Sequence, residues 1–188
     1  MSDSPLANAI IITFLLFFTT VTIGWVGTMQ NPAMGQDLMK LFEKEVAGQM
    51  TGACPYDMCV KLFANNLEAC ILLFLGGASF GIFTILIMSL NGIVIGAILE
   101  IVHTDHSIPF VTAAILPHGI FEIPAFIISG ALGILLAQSL VAEWYGEGDT
   151  AADAKNFARI FLLYVLPLVA LAAGVEAFIT PVIIHLVA

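Results

Sequence analysis

Three ionisable side chains lie inside apolar stretches that contain no Lys or Arg. His118 and Glu122 belong to LPHGIFEIPAFIISGALGILL, and Glu176 to LPLVALAAGVEAFITPVIIHLV. An acid in hydrocarbon is costly, so such residues face a cavity or a partner and tend to carry function. His118 and Glu122 are four residues apart and share one face of a helix. Imidazole and carboxylate are zinc ligands, so His118, Glu122 and Glu176 form a candidate metal site for a divalent ion such as zinc. The amides of Asn66 and Asn91, with Asn65, are candidate contributors. Without a bound cation the two acids are held by protons and titrate as a coupled pair. The competing reading is architectural: a hydrogen-bonded polar core that fixes helix positions and does no chemistry.

A second, weaker cluster is His103, Asp105 and His106, with Glu100 one turn before His103. It has ligand-like chemistry, but loops at a membrane edge collect such residues freely, and a solvated loop is the favoured reading. His185 stands alone and reads as an interfacial residue. An intramembrane metalloprotease needs His-Glu-x-x-His on a helix, and here the order is His-x-x-x-Glu. No phosphate-binding glycine loop, Ser-His-Asp arrangement or haem motif is visible, so the sequence leans away from an enzyme.

The elements that must position these residues are transmembrane helices. The chain has 188 residues, is 60% hydrophobic and only 10% charged, and has a mean hydropathy of +1.05. Soluble domains carry about a quarter charged residues. Several apolar runs reach the roughly 20 residues that cross a bilayer. The expectation is an all-α polytopic bundle of about five spans, a single integral membrane domain over 1–188, multi-pass in the cell membrane with the lipid bilayer as its principal partner. The net charge of −9 argues against nucleic-acid binding and a polybasic lipid-binding tail. The first apolar run has no basic residues before it, so it reads as a retained helix and not a cleaved signal.

The spans are expected at about 7–28, 61–76, 79–102, 109–140 and 157–187. The run 61–102 would make a helix of about 63 Å, twice a bilayer core of about 30 Å. It must therefore break, and Gly76-Gly77 is the favoured place. That turn lacks polar residues, so protein must shelter it. Pro117 and Pro124 predict a kink in the fourth span, or a break near Pro117. Pro167 and Pro181 lie in the last. Between the first two spans, residues 36–48 alternate apolar Leu38, Met39, Leu41, Phe42 and Val46 with charged residues, which predicts an amphipathic helix on the membrane surface.

Basic residues divide between the 29–60 loop and the 141–158 loop, and five spans put these on opposite sides of the membrane. The acids beside Lys40 and Lys44 make the first loop the easier one to export. Cys54 and Cys59 flank a short loop and read either as a disulfide or as free thiols; Cys70 reads as a small core residue. The pairs Gly77–Gly81, Gly92–Gly96 and Ser129–Gly133 let helix backbones approach closely, within the protomer or in a homodimer.

The string ILPHGIFEIPAFIISGALG, followed by LPLVALAAGVEAFITP, resembles the signature of the stage II sporulation protein M family of integral membrane proteins. The region NNLEACILLFLGG with NGIVIGAI fits the same family, and the resemblance covers roughly residues 60–185. It implies a helical membrane protein of about five spans. In spore formers it implies a protein that anchors a peptidoglycan-remodelling complex during engulfment. The family's motif residues fall on Asn66, Asn91, Gly92, Pro117, His118, Glu122, Pro124 and Glu176, without an established catalytic role. Three functions compete: a membrane scaffold that assembles membrane-protein partners, a cation- or proton-coupled transporter or channel, and a membrane-embedded metal enzyme. The first is the expectation.

Overall fold

The computed structural model describes residues 5–33, 35–37, 40, 54–105 and 108–187, apart from the side chains of residues 105, 108, 109, 114, 185 and 187. The described chain is helical, with no strand among the described residues. Helix α1 is Pro5–Gln30, α2 is Pro55–Leu75, α3 is Ile82–Asp105 and α4 is Ile108–Trp144. The last span opens with α5 (Thr150–Ile160) and continues through a π-helical segment Phe161–Val165 into α6 (Leu166–Gly174). A second π-helical segment, Val175–Ile179, leads into α7 (Thr180–Val187). Five helices are long and apolar enough to cross a membrane. Most of the expected amphipathic helix, 36–48, lies outside the described residues; residues 35–37 and 40 are helical, with Lys40 and Asp37 paired at 3.4 Å.

Contact pairs give the helix directions. Thr20 meets Gly92 and Trp25 meets His103, so α1 and α3 run the same way. Gly77 meets Gly133 and Cys70 meets Ser129, so α2 and α4 run together. Ala9 packs with Ala131 and Leu135 while Thr13 reaches Ile127, so α1 opposes α4. Hence the 76–81 turn and the 145–149 loop share one end of the bundle with Pro5. The start of α2, the α3–α4 connection and the end of α7 share the other.

The break after α2 falls at glycine because the chain has to reverse within a few residues. Gly76–Ser79 tightens into a 3₁₀ turn, after which Phe80 (φ 57°) and Gly81 (φ 84°) adopt left-handed backbone. The shelter that this nonpolar turn requires comes from Ser79. Its hydroxyl donates to Gly76 O at 2.6 Å and accepts from Phe83 N at 2.9 Å, which caps α3. Gly76 and Gly77 are buried.

Helix α4 passes unbroken through Pro117 and Pro124, so of the two outcomes expected there, a kink in the span or a break near Pro117, the break does not occur. Each proline removes one backbone donor, but packing by neighbouring helices holds a transmembrane helix through that loss. Ala125, Phe126, Ile127, Ser129 and Ala131 to Leu132 of α4 are buried, and α4 contacts every other span. The last span answers its prolines differently. Leu166 N donates to Phe161 O and Thr180 N to Val175 O, five residues back, just ahead of Pro167 and Pro181. Widening the turn moves a carbonyl clear of the proline ring.

Close packing is paid for in small residues. A Cβ on Gly24 would strike the Ile93 carbonyl, one on Gly96 the Val21 carbonyl, and one on Gly133 the Leu73 carbonyl. The buried stripe of α1 is Ala9, Thr13, Phe17, Thr20, Gly24 and Thr28, so small and hydroxylated residues let backbones meet. Outward faces carry Ile11, Phe14, Leu15, Ile82, Phe83, Leu162 and Phe178, the surface that lipid covers. Cys54, Cys59 and Cys70 are free thiols, which corrects the disulfide reading. Cys54 is the N-cap residue of α2 and Cys59 lies five helical positions on, so their side chains point about 140° apart at 100° per residue.

Candidate functional site

The site joins the fourth span to the fifth. His118 stands ten residues into α4, about 15 Å from the helix end at a rise of about 1.5 Å per residue. Glu176 stands a similar distance from the end of α7, in the π-helical segment Val175–Ile179. A π-bulge adds a residue to the turn and re-aims the side chains that follow; such bulges concentrate at functional sites. The flanking contacts hold the register: Ala177 and Thr180 are buried, and Thr180 Oγ1 donates back to Val175 O at 3.4 Å.

His118 Nδ1 lies 2.6 Å from Glu176 Oε2. Both atoms are sealed from solvent, and neither has another polar partner among the described residues. The two side chains as wholes remain 21% and 26% exposed, so their outer edges reach the surface of the bundle while the contact itself is closed. Glu122, one turn along from His118, lies within electrostatic range of both His118 and Glu176. Its carboxylate makes no hydrogen bond among the described residues. Glu122 also lies within electrostatic range of the Cys70 thiol on α2, which is in hydrogen-bonding contact with Ser129 of α4.

The structure therefore brings two of the three predicted ligands into contact and sets the third beside them. Among the described residues no three His, Cys, Asp or Glu side chains converge on a point that would hold a metal ion. Glu122 lies beside the His118–Glu176 contact, in which Nδ1 and Oε2 must share one proton to sit 2.6 Å apart. Asn66 is buried and accepts from Asn65 Nδ2 at 3.4 Å. Asn91 Nδ2 donates to Ile87 O of its own helix at 2.9 Å. The second cluster does not assemble: His103 is exposed with its ring 6.0 Å from that of Trp25, while His106 and the side chain of Asp105 lie outside the described residues. The side chain of His185 does too.

Sequence reasoning missed the hydroxyl bonds that pin the spans around this site. Thr13 Oγ1 reaches Ile127 O at 3.1 Å across α1 and α4, and Thr84 Oγ1 donates to Leu73 O at 2.9 Å across the α2–α3 hairpin. The available signal was the recurrence of Thr at helical spacing, 13, 20 and 28, inside an otherwise apolar run.

Comparison with known proteins agrees with this architecture. The family model described as stage II sporulation protein M matches residues 13–181. The chain belongs to the stage II sporulation protein M family. The match reaches into every span and takes in each of His118, Glu122 and Glu176. This chain is similar to uncharacterized protein MJ0793 of Methanocaldococcus jannaschii, with 28% identity over 92% of this chain and 93% of the relative. It is also similar to uncharacterized protein MJ0706 of the same organism, with 28% identity over 73% of this chain and 64% of the relative. No solved structure matches.

Proposed function

We propose that this member of the stage II sporulation protein M family is a membrane scaffold whose intramembrane polar site, His118 with Glu176 and Glu122, holds protons and locks the last two spans together. The supporting observation is the closed 2.6 Å contact between His118 Nδ1 and Glu176 Oε2, made by atoms with no other partner. Charge accounting supports proton occupancy. A protonated His118 balances one of the two carboxylates, and neither span offers a Lys or Arg near the site for the other. Two bare carboxylates side by side in hydrocarbon are untenable, so the second acid is held by a proton or by a cation arriving from outside. The family takes its name from a stage II sporulation protein, and a complex-forming role at the membrane is the reading carried over to this chain.

A second reading rests on Glu122. A carboxylate without hydrogen bonds, next to a sealed pair and a π-bulged span, is what proton- or cation-coupled transport would use, since broken or irregular helices frame many transport sites. Proton and cation flux into liposomes containing the purified protein separates the two. The scaffold reading expects flux no higher than in empty liposomes, with stability lost in Glu176→Gln. Flux that disappears in Glu122→Gln would overturn it in favour of transport. Metal content is the third readout: an equimolar divalent ion that survives dialysis and is lost in Glu122→Gln/Glu176→Gln would restore the metal-site reading.

A further inference from the structure

The start of the fifth span separates its charges by sign. Helix α5 is the one strongly amphipathic segment of that span, TAADAKNFARI. Its acids are engaged within the protein: Asp149 caps the helix by accepting from Ala152 N at 3.0 Å, and Asp153 Oδ2 accepts from Ser139 Oγ of α4 at 2.6 Å. Its bases are not. Lys155 and Arg159 are exposed, four residues apart on one helix face, with the exposed amide of Asn156 beside Lys155. Neither forms an ion pair among the described residues. One turn further on, the same side of the chain presents Leu162 and Leu163, each 59% exposed, and Tyr164, which is lipid-facing surface.

The order along the axis is therefore Glu143 in the last turn of α4 with Glu147 in the loop after it, then Lys155, then Arg159, then the exposed leucines. The positive charge sits against the apolar boundary, about one helical turn above it, and the negative charge lies farther out in water. With the exposed leucines set against hydrocarbon, the pair would stand near the phosphate groups of a bilayer, where arginine and lysine side chains reach outward from the edge of a span. We propose that Lys155 and Arg159, assisted by Asn156, bind the phosphate of an anionic phospholipid at this end of the bundle. A guanidinium and an ammonium spaced by one turn pair with a phosphodiester through charge-assisted hydrogen bonds. A net anionic lipid is preferred over a zwitterionic one because no choline or ethanolamine charge opposes the pair. The two residues are a large share of the five Lys and Arg in a chain of net charge −9, so this face is a local exception to an acidic molecule.

The test uses the full-length protein in uncharged detergent, titrated with short-chain phosphatidylglycerol, with phosphatidylcholine of the same chain length, and with inorganic phosphate. Bound lipid is counted by native mass spectrometry, and the unfolding temperature is followed in parallel. The expected result is a preference for phosphatidylglycerol of about fivefold per basic residue at low ionic strength, falling steeply as salt is added. K155Q/R159Q should bring the two lipids to parity, while K155R/R159K keeps the preference. Lys61→Gln, at the opposite end of the bundle, should leave it unchanged. If K155Q/R159Q does not fold, the salt dependence and the single variants K155Q and R159Q, each expected to lose about fivefold of the preference, carry the test by themselves. Parity of the two lipids for the unaltered protein, an undiminished preference in K155Q/R159Q, or a preference lost in Lys61→Gln would overturn the proposal. Inorganic phosphate competing as well as phosphatidylglycerol would overturn it too, because the site would then take a free anion.

Discussion

His118 and Glu176 hold each other by one polar contact that nothing else can replace, because both contacting atoms lack other partners. Removing one side leaves a buried polar atom unpaired, which costs about 1–3 kcal/mol. Glu176→Gln and His118→Phe should therefore each lower stability in lipid or detergent. The coupling between them, from a double-mutant cycle of chemical unfolding, should fall at about 0.5–2 kcal/mol; additivity of the two changes would show that the contact contributes nothing. Glu122 gives the contrast. Its carboxylate has no hydrogen bond to lose among the described residues, so Glu122→Gln should destabilise less than Glu176→Gln in the same unfolding measurement. Both acids look alike in the sequence, as ionisable residues in apolar runs without a cation. Which of them meets the histidine was not legible there. The i, i+4 rule paired His118 with Glu122 on one helix, whereas the contact is made between helices, to Glu176.

At the level of elements, glycine decides where helices touch. Gly77 and Gly133 face each other, and a Cβ on Gly133 would run into backbone, not into a side chain that can turn away. Gly133→Ala should destabilise by about 1–3 kcal/mol, the usual cost of overpacking, measured by thermal unfolding. Gly174→Ala, with nothing within 4 Å of the new Cβ, should be neutral or stabilise by up to about 1 kcal/mol through helix propensity. Equal effects at the two sites would refute the packing argument. The π-helical segment before Pro181 belongs to the same scale. Pro181→Ala supplies the missing donor and removes the ring, so the turn Val175–Ile179 can relax towards an α-helix and rotate Glu176 away from His118. The expected readout is loss of the His118–Glu176 coupling energy while both residues are still present. The four-residue glycine spacings were visible in the sequence. Their partners were not: Gly92 and Gly96 pack on α1 of the same chain.

For the molecule as a whole, five spans place the two ends of the bundle on opposite sides of the membrane. Cys54 is an exposed free thiol at the start of α2, and Cys70 is fully buried. In sealed vesicles a membrane-impermeant maleimide should label Cys54 from one side. A cysteine placed at Glu147, in a Cys54→Ala/Cys59→Ala background, should be labelled from the other. Cys70 should react only after unfolding. Labelling of both loops from the same side would require an even number of crossings between them and would break the five-span topology.

The chemistry of composition was enough for the sequence to determine the solvent, the helical class, the number of spans and the reversal near Gly76-Gly77. Apolar runs of bilayer length admit few other solutions, and a run twice that length must turn. The prolines were read correctly as perturbations, but their outcome depended on neighbours. Surrounded by other spans, α4 carries Pro117 and Pro124 without breaking, while the last span widens into π-turns. The chain's own order of residues could name His118, Glu122 and Glu176 as a group that must be satisfied in the membrane. Only the packing of α4 against the π-bulged last span decided that His118 and Glu176 satisfy each other. Contact between helices depends on rotation and depth, and neither is encoded in the periodicity of a span that is apolar on every side.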